Sequence, residues 1–431
     1  MNTRHFIRQT PYLAWVMLYC AVTAGLFGVM LGLVTPNLRA QWQLSYQDMG
    51  LLMTLSSAGG VVGSLLGGHI AKRFDTRRLF LAYACFTLTM LVGLANAPTF
   101  GVLVVCFALT AVTESALFTL GHGVLANMSN DSETRTRFIG LVDVGFSLGT
   151  LVAPLWVAGW FALDPAWRGP YLAFVGFVAL LVALLWPHPA YTGLALNSPA
   201  AVSTVDATAD NTAPAPGTDR GYLALATHPV VLPGLAAALL VGYVEWGQNY
   251  WLVSYVEQGL EWGATLARQA VFALMLGMLV GRVWQTFVAS TWSMETKIGR
   301  LAWLCVGALL VQNASGWLAH TQPAWAGPMQ ALFVLASLGV GLGVSVGFPI
   351  LLGSLIHALP QEASRLSALM MIAISAGAAL ASQSVGRLAD AWGMATAFGL
   401  LVASAVAYVA ALAVMHRRLA THDAQAALTP P

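Results

Sequence analysis

Four ionisable side chains lie inside long apolar runs: Glu114, Asp143, Glu245 and Arg282. A charge at the centre of a bilayer costs at least about 2.5 kcal/mol, so each is a candidate for function. The richest setting is LVGYVEWGQNYWLVSY. There Gln248 and Asn249 follow Glu245 at i+3 and i+4, on one helical face, with Trp246, Tyr250 and Trp251 around them. A carboxylate, two amides and aromatic rings offer paired hydrogen bonds and a stacking surface to a polyhydroxylated ligand. Tyr255 fits an interfacial belt better. Arg282, after Gly281, cannot shed its charge and needs an anion. Glu245 on the preceding span is the first choice and a substrate anion the second.

Glu114 lies within ALTAVTESALFTLGHGVLAN. A carboxyl group removed from water suits reversible proton binding. The blander role is a structural carboxylate bonded to neighbouring helices. Asp143 stands about two turns into its run, with Ser147 and Thr150 along the same stripe. It either faces a cavity or pairs with Arg135 or Arg137. His122, beyond Glu114, is a proton relay or a packing residue.

Helices must position these groups. Only 36 of 431 residues are charged, 8%, against 58% hydrophobic, and mean hydropathy is +0.74. A soluble domain carries about 25% charged residues. The composition excludes a soluble enzyme, a disordered protein and a nucleic-acid binder, and points to a polytopic membrane protein. Cys20, Cys85, Cys106 and Cys305 lie in apolar runs and read as small core residues, not as a disulfide or metal framework. No metal-ligand spacing and no phosphate-cradling loop occurs, so neither metal nor cofactor is expected.

Apolar runs predict twelve spans, near 11–36, 46–71, 78–97, 99–128, 136–161, 169–187, 229–256, 264–290, 298–318, 325–357, 362–386 and 394–415. With a cytoplasmic N-terminus, fourteen of nineteen Lys and Arg face the cytoplasm and four the far side, which supports twelve spans with both termini inside. Residues 188–228 form a linker rich in Pro, Ala, Thr, Ser and Asp. It separates an N-terminal six-helix bundle, 1–187, from a C-terminal one, 229–416. Residues 417–431 read as a disordered cytoplasmic tail. The bundles repeat in parallel: Gly59 and Gly63 match Gly277 and Gly281, placing Ser64 opposite Arg282. Arg137, Ser147 and Gly149 match Arg365, Ser375 and Gly377.

Twelve spans, a 6+6 repeat and a central linker resemble the major facilitator superfamily of secondary transporters. The stretch GHIAKRFDTRR is similar to its signature between spans two and three, with Gly68, Arg73, Arg77 and Arg78 in place. Lys72 stands where the family has Asp, and Asp75 where it has Gly. The resemblance implies a cytoplasmic gate formed by Gly68, Arg73, Asp75, Arg77 and Arg78. Glu114, Ser115, Ala116, Phe146, Ser147 and Gly149 are similar to the fucose–proton symporter group, which implies a substrate- or proton-linked role for Glu114. Gly32, four residues before Pro36, departs from that group's Asp. Asp143, Ser147, Pro154 and Gln248, with the aromatic exit of the seventh span, resemble the TsgA-like branch more closely.

The expectation is an all-α membrane protein of two pseudo-symmetric six-helix bundles, a monomer in a bacterial inner membrane. It is not an enzyme. It carries a small polar organic solute, a sugar-like compound by the seventh-span chemistry, together with protons. Glu245, Trp246, Gln248, Asn249, Trp251 and Arg282 would bind substrate between the halves, and Glu114 and Asp143 would handle the proton. An exporter of drugs or metabolites is the alternative, as is an organic-anion transporter that uses Arg282. A sensor built on a transporter fold is a further reading.

Overall fold

The computed structural model describes residues 12–70, 74, 76–126, 132–164, 166–186, 221–287 and 292–428. Of the expected gate, Arg73 and Asp75 lie outside the described residues, as does most of the expected linker. The chain is helical: α1 (Tyr12–Trp42), α2 (Tyr46–Ile70), α3 (Thr76–Ala95), α4 (Phe100–Ala126), α5 (Ser132–Phe161), α6 (Arg168–Leu185), the short α7 (Tyr222–Ala226), α8 (Val231–Ser254), α9 (Ala264–Phe287), α10 (Met294–Thr321), α11 (Ala326–Val344), α12 (Gly347–Ala358), α13 (Ala363–Trp392), the short α14 (Met394–Phe398) and α15 (Leu400–Leu428). Among the described residues, eleven segments are long and apolar enough to cross a membrane. The other long helix, α8, has 24 residues, but Glu245, Gln248 and Asn249 reduce its apolar character below that of the eleven.

Two compact units form. One takes in 12–42 and 55–186, the other 43–54 and 221–428. In the first, α1 packs on α4, α5 and α6, and 78% of its most apolar stretch is buried. In the second, α8 packs on α9, α13 and α15. Both helices are mostly buried, with Trp15 of α1 and Leu232 of α8 among their few exposed residues.

The glycine repeat does the same work in both units. A Cβ on Gly149 of α5 would overlap the carbonyl oxygen of Val22 on α1, and one on Gly377 of α13 would overlap that of Leu239 on α8. Gly63 of α2 meets the Val112 carbonyl of α4 in the same way, and Gly277 of α9 meets that of Leu338 on α11. Small residues let helix backbones touch, and dispersion contacts then replace the hydrophobic drive that lipid does not provide.

Several expectations need correction. The tenth span breaks at Ser345 and Val346 into α11 and α12. Pro349 has no N–H for the Ser345 carbonyl, so the helical ladder fails there. The first span runs on to Trp42 through a buried Pro36. The C-terminal tail is helical to Leu428, because its Ala, Leu, Arg and Gln favour helix. Residues 222–226, expected in the linker, form α7 with Leu225 buried. Cys20, Cys106 and Cys305 are buried, but Cys85 is exposed, on a span too apolar to distinguish lipid-facing from core positions. Gly393, at φ +84°, ends α13.

Replacing Gly149 or Gly377 with Val is expected to destabilise the fold by about 1–3 kcal/mol or more, through overpacking. Gly101, with nothing within 4 Å of an added Cβ, should accept Ala without loss. Melting temperatures of the purified variants in detergent check both.

Candidate functional site

Gly242 lets α8 lie against the Ile374 backbone, and the polar turn of α8 begins one residue group further on. Glu245 Oε1 stands 3.5 Å from Arg282 Nη2 on α9, with side chains 17% and 24% exposed. The separation exceeds the 2.7–2.9 Å of a tight charge-assisted hydrogen bond. The pair is therefore an ionic contact, and Arg282 makes further interactions besides it. At the repeat-related position in the first unit, Ser64 meets Ser115 at 2.7 Å between hydroxyl oxygens.

The rest of the polar turn divides. Gln248 Nε2 donates to Gln312 Oε1 on α10 at 2.9 Å, Gln312 Nε2 donates to Ser337 Oγ on α11 at 2.9 Å, and Ser337 Oγ donates to the Phe333 carbonyl at 2.9 Å. All three side chains are fully buried, so the chain of amides ties three helices together. Trp251 is also fully buried and meets the Tyr46 ring edge-on at 6.1 Å. Gln248 and Trp251, expected at the substrate, are thus fully buried, and Gln248 Oε1 and Trp251 Nε1 are unpaired among the described residues. Asn249 is buried with Oδ1 unpaired, and half-buried Trp246 lies against Tyr250 with ring centroids 5.4 Å apart. Sequence reasoning missed three participants. Gln312, followed directly by Asn313, is an amide in the ninth apolar run. Tyr243 bonds Ser384 at 2.6 Å. Tyr408 has a buried, unpaired hydroxyl that Glu245 and Cys305 face. Only the polarity of Gln312 gave a usable signal.

In the first unit, Glu114 is 3% exposed and neither carboxyl oxygen has a hydrogen-bond partner. The hydroxyl of Thr23 on α1 faces it, yet is committed to the Cys20 carbonyl at 2.7 Å. Asp143 differs: its side chain is 60% exposed, and Oδ1 lies 3.6 Å from His122 Nε2. The other ring nitrogen, Nδ1, lies 3.0 Å from the Phe118 carbonyl. A carbonyl oxygen can only accept, so Nδ1 is the donor in that bond and Nε2 is the ring nitrogen nearer Asp143. Ser147 and Thr150 are buried and donate to the carbonyls of Asp143 and Ser147, at 2.8 and 2.9 Å. Among the described gate residues, Gly68 lies in α2, Arg77 is half-buried with Nε unpaired, and Arg78 is exposed. No group of three or more His, Cys, Asp or Glu capable of holding a metal occurs among the described residues.

Comparison with known proteins gives three kinds of match. The model of the Major Facilitator Superfamily matches residues 17–382. A cis,cis-muconate transport protein of Acinetobacter baylyi is 25% identical over 283 residues, 63% of each chain. A probable 4-methylmuconolactone transporter of Cupriavidus pinatubonensis is 29% identical over 36% of each chain. A TsgA homologue of Erwinia tasmaniensis is 21% identical over 40% of this chain and 43% of its own. The matches therefore span less than two thirds of each relative's length. In fold, the chain is similar to a bacterial homologue of the human lysosomal transporter Spinster, solved inward-facing and unoccupied. The TM-score is 0.64 at 17% identity, covering 96% of this chain and 98% of that one.

Replacing Gln312 with Leu leaves the Gln248 amide and the Ser337 hydroxyl without their partner. The expected loss is about 1–3 kcal/mol for each orphaned group. Glu245→Ala and Arg282→Ala should each destabilise more than the double variant, because each single change keeps one half-buried charge and removes the opposite charge beside it. A double-mutant cycle of melting temperatures checks both statements.

Proposed function

Because the chain belongs to the Major Facilitator Superfamily, and is thereby a multi-pass transporter and not an enzyme, we propose that it carries a small organic acid in symport with protons. The observation that carries the reading is the Arg282–Glu245 pair. A permanent guanidinium charge inside a membrane helix, at ionic rather than hydrogen-bonding distance from the Glu245 carboxylate, attracts a substrate carboxylate. Two relatives are described as transporters of muconate and methylmuconolactone, an unsaturated dicarboxylate and a lactone acid, which supports an acid over a sugar. The neutral groups point the same way. Gln248 is bonded to Gln312 and Trp251 is fully buried, so Asn249 and the Trp246–Tyr250 surface are assigned to the apolar body of the acid.

Proton coupling fits the carboxylates. When a substrate carboxylate takes Arg282, Glu245 loses its counter-ion, and an ionised carboxylate without one in this setting costs several kcal/mol. Taking up a proton relieves that cost, so binding of the acid and of the proton favour each other. Glu114, buried without a partner, holds a second proton in the first unit, and the exposed Asp143–His122 pair exchanges protons with water. The basic residues favour cytoplasmic termini in a bacterial inner membrane, and the transporter works as a monomer by alternating access.

Reconstituted protein with cis,cis-muconate as probe tests this. Arg282→Gln is expected to reduce uptake at least about tenfold, the loss of one charge-assisted contact, and Arg282→Lys to retain part of it. Glu114→Gln should keep uptake but lose its acceleration by an inward proton gradient. Unchanged muconate uptake in Arg282→Gln, or inhibition by neutral sugars and not by carboxylates, sinks the organic-acid reading.

A further inference from the structure

We propose that the start of α10 is a headgroup site for an anionic phospholipid. Lys297, in the first turn of α10, is 6% exposed, yet no carboxylate pairs with it among the described residues. Its Nζ lies 5.7 Å from the ring centroid of Trp284 on α9. One turn further on, Arg300 is exposed and its Cζ lies 4.1 Å over the ring of Trp292. Trp284 and Trp292 meet edge to face at 5.9 Å, so two cations and two indole rings form one cluster. Glu295, in the same turn, is exposed and neutralises neither cation. Burying a lysine without a counter-ion is costly, and an external anion removes that cost.

The surface beyond Arg300 decides which anion. Trp303, Leu304, Leu310, Val311 and Trp317 are all exposed along α10, a continuous apolar stripe with Arg300 at its head. From Arg300 to Trp317 the helix rises about 26 Å, close to the roughly 30 Å of a hydrocarbon core. The two ends therefore sit at the two interfaces, where tryptophan concentrates. A ligand with a phosphate at one end and acyl chains below it covers both the cations and the stripe, whereas free phosphate covers only the cations. The basic-residue bias assigns this end to the cytoplasmic leaflet, the one that carries anionic lipid. The site shares no residue with the Glu245–Arg282 pair and stands whether or not the transported solute is an acid.

Native mass spectrometry of the full-length protein, titrated with phosphatidylglycerol or phosphatidylcholine, tests the proposal, with thermal shifts in inorganic phosphate alongside. The expected result is saturable phosphatidylglycerol binding, weakened about fivefold by Arg300→Ala and again by Lys297→Gln, with no stabilisation by inorganic phosphate. Arg300 is exposed, so its variant should fold and decides the matter alone if the Lys297 variant does not. Equal phosphatidylglycerol binding by wild type and Arg300→Ala overturns the proposal. So does equal binding of phosphatidylcholine, or stabilisation by inorganic phosphate as strong as by the lipid.

Discussion

Helix backbones in this protein touch one another, and the remaining architecture follows from that contact. Gly149 against Val22 and Gly377 against Leu239 bring α5 onto α1 and α13 onto α8 with no side chain between them. Lipid gives no hydrophobic reward for such packing, so the attraction comes from many short-range dispersion contacts and requires shape complementarity. Once α1 and α8 are enclosed in this way, any polar group they carry must find its partner inside the bundle.

The two units solve that problem differently. In the second, Gln248, Gln312 and Ser337 satisfy one another across three helices, and Glu245 answers Arg282. The amide chain crosses three helices, with Gln248 Oε1 left unpaired among the described residues, whereas the ion pair is longer than a tight charge-assisted hydrogen bond. In the first unit neither carboxyl oxygen of Glu114 has a hydrogen-bond partner among the described residues, although the Thr23 hydroxyl faces it.

Much of this was legible in the residues. Span number, the glycine repeat and the four intramembrane charges all follow from one-dimensional rules, since a bilayer penalises every exposed polar group and only long apolar helices escape. The pairing of Arg282 with Glu245 was legible too, because consecutive spans are neighbours and an arginine in lipid has few choices. The break at Ser345 was signalled by Pro349 but lost in the apolarity of the run around it.

What the sequence by itself determined was the solvent the chain folds in, the helices that must form there and the residues too costly to be passive. It could not say which face of a helix meets which neighbour, because in an apolar span the 3.6-residue period carries little contrast between core and lipid. Only the tertiary structure decided that Gln248 turns to Gln312, that Trp251 is sealed beside Tyr46, that Cys85 faces outward and that Asp143 meets His122. Those outcomes depend on helix rotation, and helix rotation is set by the small residues that let backbones meet.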